Sequence, residues 1–370
     1  MEDKSERMET ETAIDSAQTP VCSGETGGDA AENGAEGQNP QPRQIRKHFS
    51  RLGLWYFTGT IIINVVQLLA IFLCRAFKPE WLNDVNSSII LSALPLYLIG
   101  APALVALVRT VPGRKPEKHK MKAGHFILAL LMCFAIMYIC NIAGNVITSI
   151  IGALKGGEVQ NVLENTLTGA NLPLVFLYTV ICAPIVEEYL FRKLIVDRTI
   201  RYGQGVAVLL SGLMFGLFHG NLNQFAYTFF LGMFLAFLYV RTGNLKITIG
   251  LHMGVNFVGG MMGLLVMDML DMDKLNILLQ NPEDTGALIA FFMDNIAGLI
   301  LLLVYDLVVY GSMLAGGILL IVSIAGKRFR AEPAETAIPK GKRFRTVILN
   351  PGMLLYCIFW IAVIVLQIFM

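Results

Sequence analysis

The chain has 370 residues and a nearly balanced charge, with 29 Lys and Arg against 27 Asp and Glu. Its residues are 55% hydrophobic and only 15% charged, and a mean hydropathy of +0.61 is too apolar for an ordinary soluble domain. The Lys and Arg residues are spread over separate loops, and no nucleic-acid-binding domain is recognisable, so we expect no nucleic-acid partner. The composition predicts an all-α, polytopic membrane protein whose main partner is the lipid bilayer.

Residues 1–45 precede the first apolar segment and form an acidic tail. Ten of the first 42 residues are Asp or Glu, against Lys4 and Arg7. The stretch has no apolar region of the kind that a cleavable signal peptide needs. Because such a segment buries too little apolar surface to fold, we expect a disordered cytoplasmic tail, followed by a helical membrane domain over 46–370.

Nine apolar segments follow the tail, and each is near the ~20 residues that span a bilayer as a helix. They lie at 54–74, 88–109, 124–152, 172–195, 205–220, 224–241, 246–267, 287–326 and 352–370. The eighth segment contains Asp294 and Asp306, so it is either one tilted helix with an extension or two short helices. The sequence therefore predicts about 8–9 transmembrane helices around a core bundle.

The distribution of Lys and Arg predicts the orientation of these helices. If every segment crosses once, the basic loops 110–123, 192–201 and 327–345 share one side, and the acidic loop 268–286 lies on the other. Basic loops are retained in the cytoplasm. We therefore predict nine crossings of a bacterial-type cell membrane, a cytoplasmic N-terminus and an external loop 268–286.

Two adjacent glutamates, Glu187 and Glu188, lie inside the fourth apolar segment. A carboxylate at membrane depth is costly unless it is paired or functional. Arg192 follows Glu188 by four residues on the same helical face, whereas Glu187 points about 100° away. We predict that Glu188 and Arg192 hold a site in which Glu187 acts on water. The alternative is that both acids merely mark a helix end at the interface, although Pro184, which frees a backbone carbonyl, suits a cavity.

Two further polar elements lie in the fifth and seventh segments. His219 follows Phe215 by one turn, and Asn256 follows His252 by one turn. A single histidine at a helix end is as readily interfacial as catalytic. An imidazole and an amide on one face can donate to an oxyanion, or they can form a hydrogen bond between helices. Since each polar group in hydrocarbon needs a partner, we expect these elements and the glutamates to line one cavity in a catalytic core of about 170–268.

In chain order, the three elements read Glu187-Glu188-Tyr-Leu-Phe-Arg192, Phe215-Gly-Leu-Phe-His219 and His252-Met-Gly-Val-Asn256. This order resembles the EExxxR, FxxxH and HxxxN signature of the CPBP family, which includes CAAX proteases and bacteriocin-processing membrane enzymes. The likeness covers about residues 170–265. The resemblance implies a peptidase whose eukaryotic members act on prenylated CAAX proteins and whose bacterial members mostly have unassigned substrates, some being immunity or scaffold proteins.

The resemblance also implies a role for each residue. Glu187 would be the general base, and His219 would help it to orient the attacking water. His252 and Asn256 would stabilise the oxyanion. Glu188 and Arg192 would be structural or would position the substrate.

The role of a metal is left open by these residues. The family is usually called a metalloprotease, and Glu187, His219 and His252 offer the three ligands of a catalytic zinc. The HExxH motif of soluble zinc proteases is absent. A metal-free hydrolysis driven by glutamate fits the same residues, and it is the interpretation that we favour.

We therefore expect an intramembrane endopeptidase that hydrolyses a peptide bond of a peptide or protein substrate. A non-catalytic scaffold or bacteriocin self-immunity protein of the same fold is the alternative. A transporter would need repeats or paired broken helices, which the sequence lacks. Along straight helices, Glu187 and His252 fall within roughly 10 Å of the cytoplasmic face and His219 about 20 Å from it. This mismatch predicts a tilted fifth helix, or one that starts deeper, with a water-filled cavity opening to the cytoplasm.

Overall fold

The computed structural model describes residues 42–161, 167, 169–270, 272–280, 283–332, 334–336 and 338–369. Within these ranges the chain is helical and contains no β-strand. The principal helices are α1 Pro42–Phe77, α2 Val85–Arg109, α3 Ala123–Lys155, α4 Leu172–Tyr202, α5 Gln204–Phe218, α6 Leu222–Thr242, α7 Leu245–Met269, α8 Met272–Gln280, α9 Thr285–Asp294, α10 Ile296–Ala325 and α11 Pro351–Phe369.

Eight of the described helices are long and apolar enough to cross a membrane, namely α1 to α4, α6, α7, α10 and α11. This confirms the prediction of a polytopic all-α membrane protein. Helix α5 has only 15 residues, so at roughly 22 Å it is shorter than a hydrocarbon core of about 30 Å. The direction in which the N-terminus faces stays a prediction.

The structure matches one of the two alternatives left open for the eighth segment, and it differs from one predicted boundary. The eighth apolar segment breaks at Asn295, where the short α9 ends and the 30-residue α10 begins, so one long helix carries a short helical extension. Helix α1 begins at Pro42. Residues 42–45 therefore belong to a helix, not to the tail, while residues 1–41 lie outside the described part of the chain.

Helix α6 is the most deeply buried of the spans, and it packs against both α3 and α5. Its contact with α5 depends on small residues. A Cβ atom at Gly212 of α5 would come within 2.8 Å of the carbonyl oxygen of Phe229, and one at Gly232 of α6 would lie 3.1 Å from the Cα of Gly212. Since real Cβ atoms do not approach backbone so closely, glycine lets the two helices meet. This close packing holds Phe215 and His219, which follow on α5, near the centre of the bundle.

Helix α4 continues well past residue 195, where the sequence predicted a basic loop. Arg192 and Arg198 are buried within the protein. The hydroxyl of Tyr239 donates to Oδ1 of Asp197 at 2.9 Å, and the backbone N–H of Arg114 donates to the Asp197 carbonyl at 2.5 Å. These contacts show why the helix persists: the segment 110–122 covers its last turns and satisfies their polar groups.

The longer α4 removes the depth mismatch that straight helices predicted. Glu187 lies fifteen residues before Tyr202, and His219 lies fifteen residues after Gln204, on the other side of the turn at Gly203. Each is therefore roughly 22 Å from that turn. The same segment 110–122 also contacts the end of α6, since the N–H of His119 donates to the Thr242 carbonyl at 2.8 Å. The predicted tilt of α5 is therefore not needed to bring these groups to one level.

Candidate active site

Helix α4 is irregular on both sides of its two glutamates. Five-residue hydrogen-bonded turns occupy Phe176–Cys182 and Glu188–Leu194, with a short regular stretch between them. Such π-helical turns are uncommon and often occur at functional sites. Each turn changes the direction in which the following side chains point, which helical spacing alone does not predict.

Glu188 forms the buried centre of an ionic cluster. Its Oε1 lies 3.1 Å from Nη2 of Arg192 and 2.9 Å from Nδ1 of His252. The side chains of Glu188 and Arg192 are fully buried, and the guanidinium lies 4.1 Å above the ring of Phe215. A buried charge needs this kind of compensation. The geometry agrees with the expectation that Arg192 reaches Glu188; that this pair holds the site stays a prediction.

Glu187 is placed differently from its neighbour. Its Oε2 lies 3.7 Å from Nε2 of His252, and 22% of its side chain is exposed. His252 therefore stands between the two carboxylates, with one ring nitrogen towards each. Because Nδ1 is hydrogen-bonded to Glu188, the neutral ring keeps its proton on Nδ1 and presents the lone pair of Nε2 towards Glu187.

His219 lies at the end of α5 and is held in the same manner. Its Nδ1 donates to the carbonyl oxygen of Phe215 at 2.9 Å, which again leaves Nε2 available. The ring of Phe215 stands edge-on to both histidines, with centroids 4.8 Å from His219 and 5.8 Å from His252. Phe215 thus contacts Arg192, His219 and His252 at once, which gives a structural reason for an aromatic residue one turn before His219.

Asn256 of α7 donates to a backbone carbonyl of α4 that Pro184 leaves without an intrahelical donor. The N–H of Ala183 donates to the Tyr178 carbonyl in the five-residue pattern. Pro184 has no N–H to continue that pattern, and the next carbonyl, that of Thr179, instead accepts Nδ2 of Asn256 at 2.8 Å. One N–H of Asn256 therefore joins α4 to α7, and the second hydrogen of this nitrogen remains for another acceptor.

A cavity of about 410 Å³ lies beside these groups. Glu187 and Asn256 line it, together with Tyr178, Gln224 and Tyr227, whereas His219 and His252 are not part of its wall. The Gln224 amide donates to the Tyr227 hydroxyl at 2.9 Å, so the proton of that hydroxyl is still free to donate. The sequence analysis did not identify Tyr178, Gln224 or Tyr227, because single tyrosines and glutamines belong to no recognisable motif.

The cavity occupies the half of the bundle opposite the basic loops. Its walls come from the early turns of α4 and α6 and from the later turns of α3 and α7. The turn at Gly203, the α6–α7 turn and the segment 110–122 lie at the other end of these helices. The cavity therefore lies away from the basic segments, and the expectation that it opens to the cytoplasm stays a prediction.

The three residues named as zinc ligands are not assembled around one point. Within the described ranges, no three or more His, Cys, Asp or Glu side chains lie close enough to hold a metal ion. Glu187 and His252 form a pair, but His219 faces the Phe215 carbonyl with one nitrogen and does not complete a set with them. The donor set thus does not fit a three-ligand zinc site in this arrangement.

Comparison with known proteins supports the resemblance carried by the motifs. Residues 169–258 match the family described as type II CAAX prenyl endopeptidase Rce1-like. The membrane-embedded CAAX protease MroQ of Staphylococcus aureus (strain USA300) is 24% identical over 216 residues, which cover 54% of this chain and 85% of that protein. The putative membrane peptidase YdiL of Bacillus subtilis (strain 168) is 28% identical over 159 residues, 41% of this chain and 63% of that protein. No solved structure matches.

The matched segment contains all seven residues of the signature and nearly half of the residues that line the cavity. The fold and the site therefore define an integral membrane protein of the CAAX-protease-like peptidase class. Over this segment the chain is similar to the CPBP family, as its motifs indicated.

Proposed function

We propose that this protein is an intramembrane endopeptidase that cleaves a peptide bond with a water activated by Glu187. The observation that carries the proposal is the unequal environment of the two glutamates. Glu188 is fully buried and engaged by Arg192 and His252, whereas Glu187 is partly exposed and lines the cavity. Only the second arrangement leaves a carboxylate that can meet water and substrate.

The reaction follows from this geometry. Glu187 removes one proton from a water in the cavity, and the water oxygen adds to the carbonyl carbon of the scissile bond. The carbon–nitrogen bond then breaks, and Glu187 returns the proton to the departing amine. His219, with its Nε2 available, would orient the water, as the family resemblance implies.

Charge on the carbonyl oxygen needs donors in the same space. His252, whose Nε2 faces Glu187, would stabilise this charge, as the family resemblance implies. The second hydrogen of the Asn256 amide and the free hydroxyl proton of Tyr227 are the further donors that the cavity offers. These steps are written without a metal, which follows the metal-free interpretation favoured from the sequence.

The test compares three forms of the purified protein on membrane peptides from the host: wild type, Glu187→Gln and Glu187→Asp. The glutamine keeps the shape but removes the base, so cleavage should fall to a few per cent or less while insertion and folding are retained. The aspartate shortens the side chain by one methylene and should retain part of the activity, because it still carries a base.

A wild-type-like rate for Glu187→Gln would remove Glu187 from the role of base. If wild type itself cleaves nothing while every form folds alike, the non-catalytic scaffold or immunity protein is the better interpretation. The measurement is mass spectrometry of the peptide fraction, which identifies the cleaved bond as well as the rate.

A further inference from the structure

A second cavity lies next to the first, at the end of the bundle opposite the basic loops. It has a volume of about 710 Å³, and its wall consists largely of amides, hydroxyls and glycine backbone from the end of α3, the segment 156–161 and the start of α6. Such a polar lining is unusual between helices of a membrane protein, where polar groups face protein partners or water. The wall therefore requires a polar occupant.

The two cavities share part of their walls. Asn161 lines both of them. Asn145 of the second cavity donates to Asn141 of the first at 3.0 Å, and Asn223 of the second is the chain neighbour of Gln224 of the first. Polar groups therefore continue from one cavity to the other.

One wall group shows directly that the second cavity needs a hydrogen-bond donor. The side chain of Asn223 is more than nine-tenths buried, and its Oδ1 accepts no hydrogen bond from the described residues. A buried acceptor left without a donor costs roughly 1–3 kcal/mol. Water is the smallest donor that fits a polar space of this size.

Helix α3 presents two distinct faces along this region. Asn141, Asn145 and Ser149 recur at intervals of four residues and form its polar face. The opposite face bears exposed aliphatic side chains, among them Ile139 and Ile150. The aliphatic face is therefore suited to contact with lipid, and the polar face is suited to contact with water.

We propose that the two cavities form one aqueous route from the membrane face opposite the basic loops to Glu187. The route supplies the water that the proposed hydrolysis consumes, so its purpose rests on the proposed function, although its existence does not. Bulk water enters at the second cavity, passes Asn161 and the Asn141–Asn145 pair, and reaches the carboxylate of Glu187.

The test is cysteine accessibility in sealed vesicles of known orientation, on a variant without native cysteines. Asn141→Cys and Ser149→Cys are treated with a charged, membrane-impermeant methanethiosulfonate, which reacts with thiolates in water. Ile139→Cys and Ile150→Cys are the matched controls, because they lie at the same depths on the lipid-facing side of α3. Gly341→Cys, in the basic segment, reports reagent access from the other face.

Both cavity cysteines should react from the face opposite Gly341→Cys, at least about tenfold faster than their controls, because thiolates form poorly in hydrocarbon. Reaction of Ser149→Cys without Asn141→Cys would make the second cavity an isolated pocket and overturn the proposal. Reaction only from the basic side, or equal reaction of cavity and control positions, would also overturn it. None of these results depends on peptidase activity, so the route and the proposed function fail separately.

Discussion

The ion pair between Glu188 and Arg192 separates structural from catalytic roles within one motif. Glu188→Gln keeps an oxygen that can accept from His252 but removes the negative charge opposite a fully buried guanidinium. The described residues give Arg192 only this one ion pair. Removing one partner of a buried pair typically costs about 3–5 kcal/mol, because the remaining charge is left uncompensated.

Glu187→Gln offers the contrast at the neighbouring position. Its carboxylate is partly exposed and lies 3.7 Å from His252, so its loss should cost about 1 kcal/mol or less. The double variant Glu188→Gln with Arg192→Met removes both buried charges. It should recover at least about 2 kcal/mol of the loss seen in Glu188→Gln, since replacing a whole buried pair is often nearly neutral.

The free energy of unfolding can be compared by titrating mixed micelles with denaturing detergent and following the helical circular dichroism. Wild type, Glu188→Gln, Arg192→Met and the double variant form a double-mutant cycle, in which a coupling of several kcal/mol between positions 188 and 192 is expected. A loss below about 1 kcal/mol for Glu188→Gln, or a coupling below about 0.5 kcal/mol, would refute the argument. In either case Glu188 would not be the residue that holds Arg192 in place.

Two further outcomes follow from the cavity. Tyr227→Phe removes the free hydroxyl proton but keeps the ring, so kcat should fall roughly tenfold to a hundredfold with little change in KM if Tyr227 donates to the oxyanion; an unchanged kcat would remove it from that role. Prolonged treatment with a chelator should leave cleavage unaffected, because Glu187, His219 and His252 do not form a three-ligand set; loss of activity that zinc restores would show that these side chains rearrange around a metal.

Much of the fold could be predicted from the sequence because lipid imposes simple rules. Every backbone group must be satisfied within its own segment, so long apolar runs predict helices, and eight of the nine predicted segments contain a helix long enough to span. The same rule misplaced the end of α4. The charge of Arg198 predicts a loop residue, but the segment 110–122 covers this turn and the Val108 carbonyl accepts from the Arg198 side chain, so it lies inside the protein.

The signature motif was the most predictable part of the candidate site, since charged side chains in an apolar helix have few uses. Spacing correctly paired Glu188 with Arg192 on one face. It did not reveal that His252 would stand between both glutamates, because that contact joins helices more than sixty residues apart along the chain. Nor could it reveal the cavity wall at Tyr178 and Tyr227, which depends on how α4 and α6 face each other.

The irregular turns of α4 explain why helical periodicity stops being a guide close to the site. A five-residue turn adds a residue to the helix and rotates everything after it, so Asn256 meets a carbonyl that regular spacing would have assigned to an intrahelical bond. Pro184 makes this arrangement stable, since it cannot donate to Thr179 and leaves that carbonyl for the other helix. The proline, the π-helical turn and the asparagine therefore act together: the first two expose an acceptor, and the third uses it to fix α7 against α4. The hydrogen bond from Asn256 to the Thr179 carbonyl thus holds α7 beside the part of α4 that carries Glu187. The position of the candidate base therefore depends on a residue 69 positions further along the chain.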